Sequence, residues 1–401
     1  MRIIIFDGSL KPPSFINNLF VGLGDNPTNK IFLLGFGRPL FDKAFKKTTL
    51  VSLGANNSRL NFALRTIIIF FTCLAKHPHF AIKHLSALRI SSFSKRNLTE
   101  FNLKNTIAYL SPDIIHIQWA SHISFFRFLL DMAPANRHPK VIVSLRGRLI
   151  NIAPVADTEI GALYKQYFPK VDAFHAVSKA IGIEASNWGA PFEKIKVIYS
   201  GLNLNLIQNF QKNNWGIHEK IKILSVGRSH WKKGYHYGLN TLRLLLNEGY
   251  KLHYTIIAGG ELGEILYQIN ELELNECVDI IDRLPQEEVF RHMQTSDMLL
   301  LPSVEEGIAN VVLEAMAIGL PVVSSDCGGM AEVIENDKNG FLFPNRSVSG
   351  IAESIKTLMT LSPFEREKMA IEGRNKIMGH YSMERLSEEM TELYQCALAS
   401  S

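Results

Sequence analysis

Residues 298–329 read MLLLPSVEEGIANVVLEAMAIGLPVVSSDCGG. An apolar run closes at Pro302-Ser303, a small, apolar segment follows, Gly319-Leu320-Pro321 stops it, and a second apolar run ends in Asp-Cys-Gly-Gly. Short runs without a polar face predict strands covered on both sides, and a helix between two of them predicts a parallel crossover. The alternation extends outward in both directions. Comparable runs occur at 3–7, 30–36, 49–53, 113–119, 141–145, 173–178 and 196–200, then at 223–227, 254–259, 278–282, 298–302, 321–325 and 341–344. Segments of helical period, such as 237–247 and 289–295, separate many of them. Thirteen strands are too many for one comfortable sheet. The expectation is therefore an α/β chain of two doubly wound, Rossmann-like domains. The polar, Asn-rich stretch 201–220 marks their boundary, giving domains 1–204 and 205–379 and an amphipathic terminal helix within 380–401.

Composition bounds the rest. The 401 residues are 46% hydrophobic and 20% charged, as in a globular protein. The four cysteines show no metal-ligand or disulfide spacing, which fits a reducing cytoplasm. The run Thr66–Ala75 is well below the ~20 residues of a membrane span, and the short apolar start is not that of a signal peptide. The net charge of +5 conceals an asymmetry: residues 1–200 hold 25 Lys/Arg against 11 Asp/Glu, and the remainder 18 against 27. Eleven of the basic residues lie between Lys43 and Lys104, against one acid, Glu100. With the apolar run embedded in it, segment 43–104 points to an anionic membrane surface, or else to a solvated basic face. No basic motif interleaved with aromatics supports a nucleic-acid partner.

In open α/β sheets ligands sit beyond the carboxyl ends of the strands. After ILSVG come Arg228, Lys233 and the turn glycine Gly234, a fork of donors and a point charge suited to phosphate. After MLLLPS, Gly307 permits close backbone approach and opens the expected helix, whose first amides and dipole suit an anion. Glu306 stands at that mouth. Glu314 lies eight residues on, about 12 Å along a helix, too far for a glycosidase-type pair. Two spread acceptors fit an extended polyol, one on a sugar and one on a ribose. Glu314 sits among Val311, Val312, Leu313, Ala315, Met316 and Ala317, so it is expected to be partly buried with a partner.

These residues resemble the family 4-like retaining glycosyltransferases of the GT-B fold, glycosyl transferases group 1, in which two Rossmann-like domains face a central cleft. The similar elements are Glu306-x7-Glu314, VGRSHWKKG, IIAGG, SSDCGGMAEVI with NGFLFP, and VSKAIG…IKVIYSGLN, spanning about 171–345. The resemblance implies that Glu314 holds the donor ribose, and that Glu306, Gly307 and the amides of Ile308, Ala309 and Asn310 hold the donor sugar. It implies that Arg228 and Lys233, with Gly227 beneath them, clamp the diphosphate, and that the terminal helix packs on the N-terminal domain. In the first half it assigns Gly8 and Arg146 to the donor side. Here the sequence departs from the family: Gln118 lies where members carry the second histidine of a His-x-His, Arg146 replaces a histidine, and the DGSLKPPS loop lacks a glycine pair.

The implied activity is retaining transfer of a sugar, hexosyltransferase-like, from a nucleotide-diphosphate donor to an acceptor hydroxyl, in cell-envelope polysaccharide or lipid-linked glycan synthesis. The protein would act in the cytoplasm, peripherally on the inner face of the membrane. His116 is expected to position the acceptor or to be a buried structural residue. No cofactor and no metal are expected, because the cations replace an Asp-x-Asp cluster. A GT-B sugar-nucleotide epimerase and a non-catalytic sugar-nucleotide-binding protein remain as alternatives.

Overall fold

The computed structural model describes residues 1–37, 48–55, 58–87, 94–132 and 138–400. The part of segment 43–104 that carries Lys43, Lys46, Lys47 and Arg89 lies outside the described residues. The chain forms two compact units. One comprises Met1–Ala176, Gly182–Ile198 and Leu386–Ser401; the other comprises Val177–Ile181 and Tyr199–Arg385.

The first unit is built on β1 (Arg2–Gly8), β2 (Lys30–Gly35), β3 (Thr48–Ser52), β4 (Ile114–Ile117), β5 (Lys140–Leu145), β6 (Ala173–Ala176) and β7 (Ile195–Val197). They form one parallel sheet in the order β3-β2-β1-β4-β5-β6-β7. Ile3, Ile5, Ile114 and Ile142 project from one face of it into a core shared with Leu386, Met390, Leu393 and Tyr394 of the helix Met383–Ala399.

The second unit contains β8 (Ile221–Val226), β9 (Leu252–Ile257), β10 (Val278–Ile281), β11 (Met298–Leu301), β12 (Val322–Ser325) and β13 (Phe341–Phe343). Their parallel order is β10-β9-β8-β11-β12-β13. Each of the thirteen apolar runs thus carries a strand; the central strands are buried, and the edge strands β3, β7 and β10 partly so. Strand order reverses between β1 and β4 and again between β8 and β11, where such sheets leave a crevice at their carboxyl ends. The loops after β8, β11 and β12 are therefore neighbours.

One boundary differs from expectation. The helix expected to open at Gly307 is Asn310–Ile318, with Ala309 as an N-cap that supplies no side-chain bond. The Gly307 carbonyl instead accepts the Gly329 amide at 2.7 Å, which ties this backbone to the loop after β12. The helix stops where glycine and proline place the stop: Gly319, at φ 92°, donates its amide to Ala315 and Met316. Among the described residues no helix is long and apolar enough to cross a membrane.

Candidate functional site

Three loops of the second unit are fastened through their backbones. The Val304 amide donates to the Lys232 carbonyl at 2.7 Å, joining the loop after β11 to the loop after β8. Gly234, at φ 64°, lies so close to that loop that a Cβ would stand 2.0 Å from the Pro302 oxygen. Gly328 is tighter still: at φ 54°, a Cβ would fall 1.7 Å from the Glu306 carbonyl oxygen. No other residue fits either position without moving main chain. The site is therefore set by backbone contact before any side chain is considered.

Within this frame Glu306 is 8% exposed. Its Oε1 accepts from Lys233 Nζ at 2.7 Å and from Ser303 Oγ at 3.2 Å, and its Oε2 lies 3.4 Å from Lys232 Nζ. Burial works to raise its pKa, yet the two ammonium groups outweigh it and hold the carboxyl below its ordinary range. Lys233 reaches this position because Gly227 leaves room for its stem; a Cβ there would lie 2.8 Å from Lys233 Cε. Arg228 is exposed, and no described residue accepts from its guanidinium. The amides of Ile308, Ala309 and Asn310 likewise have no acceptor among the described residues. Lys232 and Lys233 thus pair with Glu306, a second carboxylate, Glu305, stands close by with its Oε1 3.1 Å from where a Cβ on Gly328 would fall, and the three open amides and Arg228 lie on the same two loops. Lys232 and Ser303 are partners that sequence reading missed: two adjacent lysines look alike until the turn Trp231–Lys233 aims both at Glu306.

Glu306 precedes the helix rather than lying on it, so the helical spacing to Glu314 does not apply. Glu314 is half-buried on the helix Asn310–Ile318. Its Oε1 accepts from Gln286 Nε2 at 2.7 Å. Burial pushes its carboxyl up to about 7, with the Gln286 bond acting in the other direction. The acid among apolar neighbours therefore has the partner its surroundings require, but that partner is neutral.

The first-unit residues divide. Gly8 ends β1 at φ 86°, and a Cβ there would sit 2.6 Å from His122 Cε1. Arg146 caps the short helix Gly147–Asn151 and is half-buried. Its Nη2 donates to Gln118 Oε1 at 3.0 Å and its guanidinium lies 4.6 Å above the Phe15 ring. Burial lowers its pKa to about 10, against the pull of Asp7. The two departures from the family pattern, Gln118 and Arg146, are thus one hydrogen-bonded pair.

His116, expected either to position the acceptor or to be a buried structural histidine, lies on β4. It is fully buried. Its Nδ1 lies 2.8 Å from Tyr394 Oη and its Nε2 2.8 Å from Ser144 Oγ. Ser144 continues at 2.9 Å to His175 Nδ1, and His175 Nε2 donates to the Ile198 carbonyl at 3.0 Å. That last carbonyl can only accept, so it orients the whole chain of bonds: Ser144 donates to His175, His116 donates to Ser144, and Tyr394 donates to His116. Both histidines are neutral: burial lowers the pKa of each first, a proton on His175 would disfavour one on His116, and Arg146 acts on both in the same direction.

Two family models match the chain: Glycosyltransferase Family 4 over residues 71–206 and Glycosyl transferases group 1 over 207–376. The amylovoran biosynthesis glycosyltransferase AmsK of Erwinia amylovora is 34% identical over 199 residues, 47% of this chain and 48% of that protein. The putative colanic acid biosynthesis glycosyltransferase WcaL of Escherichia coli is 28% identical over 239 residues, 58% of each chain. This chain thus spans about half the length of the curated relatives it matches. In fold it is similar to Anabaena HepE, solved in complex with UDP-glucose, with a TM-score of 0.69 at 17% identity over 99% of this chain and 100% of that one. With the fold, the loop order and both halves in agreement, the chain belongs to the family 4-like, group 1 glycosyltransferases of GT-B fold.

Proposed function

We propose that this protein transfers a sugar, with retention, from a nucleotide-diphosphate sugar to a hydroxyl of a growing cell-envelope glycan. The observation that carries the reading is the cluster Lys232, Lys233 and Glu306 beside the open amides of 308–310. A pyrophosphate supplies the acceptors those amides and Arg228 lack, the two lysines reach it from their pairing with Glu306, and Glu306 turns its oxygens toward the donor sugar. Glu314 takes the ribose hydroxyls. As the bond from the anomeric carbon to the phosphate oxygen breaks, the acceptor oxygen bonds to that carbon on the same face. The acceptor proton passes to the departing phosphate oxygen. Arg228, Lys232 and Lys233 stabilise the charge that gathers there, so the proposal needs no metal. His116 takes no part, because both its ring nitrogens are engaged.

The relatives in amylovoran, colanic acid and capsular polysaccharide synthesis support a polysaccharide acceptor. A lipid-linked acceptor at the inner face of the membrane is supported by the helix Arg59–Lys76. Its Leu60, Leu64, Ile67, Ile68 and Phe71 fall on one face and are 49–71% exposed. Arg59, Lys76, Lys83, Lys95 and Arg96 are exposed nearby in sequence. An apolar face with basic flanks suits an anionic bilayer surface, where each base contributes about 1 kcal/mol. Flotation with phosphatidylglycerol vesicles should carry the protein, with neutral vesicles and Ile67→Glu/Phe71→Glu as controls. Equal binding in all three removes the membrane from the reading.

A thermal-shift panel of UDP-, GDP- and ADP-sugars, followed by nucleotide release with and without glycan acceptors, tests the transfer. A stabilising donor and acceptor-dependent release are expected. Release of a new nucleotide sugar without acceptor points to an epimerase, and binding without turnover to a non-catalytic binder; either refutes transfer.

A further inference from the structure

A cavity of about 320 Å³ opens in the second unit, between the turn Trp231–Lys233 and the helices Tyr235–Asn247 and Gly263–Glu271. Trp231, His236, Glu261, Glu264 and Gln268 line it. None of them belongs to the Glu306 cluster or to the open amides. Trp231 is 52% exposed, with its ring tilted 34° to that of His230 at 5.7 Å. Glu261 and Glu264 are exposed, and neither carboxylate takes a hydrogen bond or ion pair from a described residue. Gln268 is held in place, donating through Nε2 to the His236 carbonyl at 3.2 Å. His236 stays neutral, burial lowering its pKa against the pull of Glu264.

The chemistry narrows the ligand. Two carboxylates at one cavity disfavour a phosphate or a nucleotide there. A half-exposed indole offers a flat apolar platform with a donor at its rim. The carboxylates and the amide oxygen offer acceptors for hydroxyl groups. A flat apolar face ringed by hydroxyl donors is a pyranose. The volume is at the small end of the roughly 300–1,000 Å³ usual for ligand sites, enough for one or two rings. We propose that this cavity binds a neutral pyranose, as a free sugar or as one residue of a longer glycan, stacked on Trp231 with hydroxyls donating to Glu261 and Glu264. Trp231 shares its turn with Lys232 and Lys233, so an occupied cavity steadies the two cations that hold Glu306. That coupling rests on the transfer reading above; the binding itself does not.

The test is saturation-transfer NMR on the full chain without nucleotide, using methyl glycosides of glucose, galactose, mannose and N-acetylglucosamine up to about 20 mM, a range suited to millimolar affinity. At least one glycoside should receive saturation, with binding at least tenfold weaker in Trp231→Ala and several-fold weaker in Glu264→Gln. A matching oligosaccharide that binds more tightly than its monosaccharide assigns a glycan residue; equal affinity assigns a free sugar. The proposal is overturned if no glycoside responds, if Trp231→Ala binds as wild type, or if methyl glucosaminide, added as a cationic control, is the one probe that responds and salt abolishes its signal. Because nucleotide is absent, a negative result here leaves the donor site untouched, and a failed donor panel leaves this result standing.

Discussion

The buried chain through His175 makes stability depend on pH. An unfolded histidine titrates near 6.5, whereas burial lowers His175 to about 3. Its contribution is fully present above the unfolded value and is lost as pH falls below it, because the unfolded state then binds a proton that the folded state refuses. From pH 7 to pH 5 this single residue removes about 2 kcal/mol of stability. His116 acts in the same direction, as do the depressed His84, His122 and His236. Glu314, raised to about 7, opposes them: folded protein holds its proton more tightly, so this group adds stability as pH falls through 7. The His175 share is isolated by difference. Urea unfolding at pH 5, 6 and 7, at constant ionic strength, should show wild type losing about 2 kcal/mol more than His175→Gln across the range. The His175 ring carbon should also show no NMR titration between pH 5 and 8. Parallel losses in the two proteins, or a midpoint near 6.5, would refute a neutral, oriented His175.

Tyr394→Phe leaves His116 Nδ1 a buried acceptor without a donor, and should cost about 1–3 kcal/mol in urea unfolding at pH 7. Binding of whichever nucleotide sugar stabilises the protein in the panel should release about half a proton at pH 7, because ribose hydroxyls favour the ionised form of a carboxyl poised near 7; calorimetry in buffers of different ionisation enthalpy reads this, and Glu314→Gln should abolish it. Arg228→Ala with Lys233→Ala should lower kcat on the order of 10²-fold or more, the scale of a lost charge-stabilising donor. Unchanged turnover in that variant would place the diphosphate elsewhere. Turnover should persist in EDTA after exhaustive chelation, measured by nucleotide release.

The thirteen strands were legible because parallel strands covered on both faces must be apolar throughout, and that pattern is local. The start of the helix Asn310–Ile318 was not. No Ser, Thr, Asp or Asn marks its N-cap, and the residues from Gly307 are drawn off by a partner, Gly329, that sequence spacing alone does not identify. Glu314 announced itself by its apolar neighbours, but its neutral partner Gln286 lies on another helix. His116 was ambiguous at the end of a strand run, because the tyrosine that decides it is 278 residues away. The basic segment was visible as charge. The exposed face of Arg59–Lys76 needed coordinates to show which apolar residues were left in water.

The first unit includes Leu386–Ser401, whose Leu386, Met390 and Leu393 complete a core begun by Ile3 and Ile5. During synthesis on the ribosome that core stays open while the entire second unit emerges and folds. A gene fragment ending at Ile198 should accordingly yield an aggregating product, and co-expression of a peptide carrying 383–400 should rescue it.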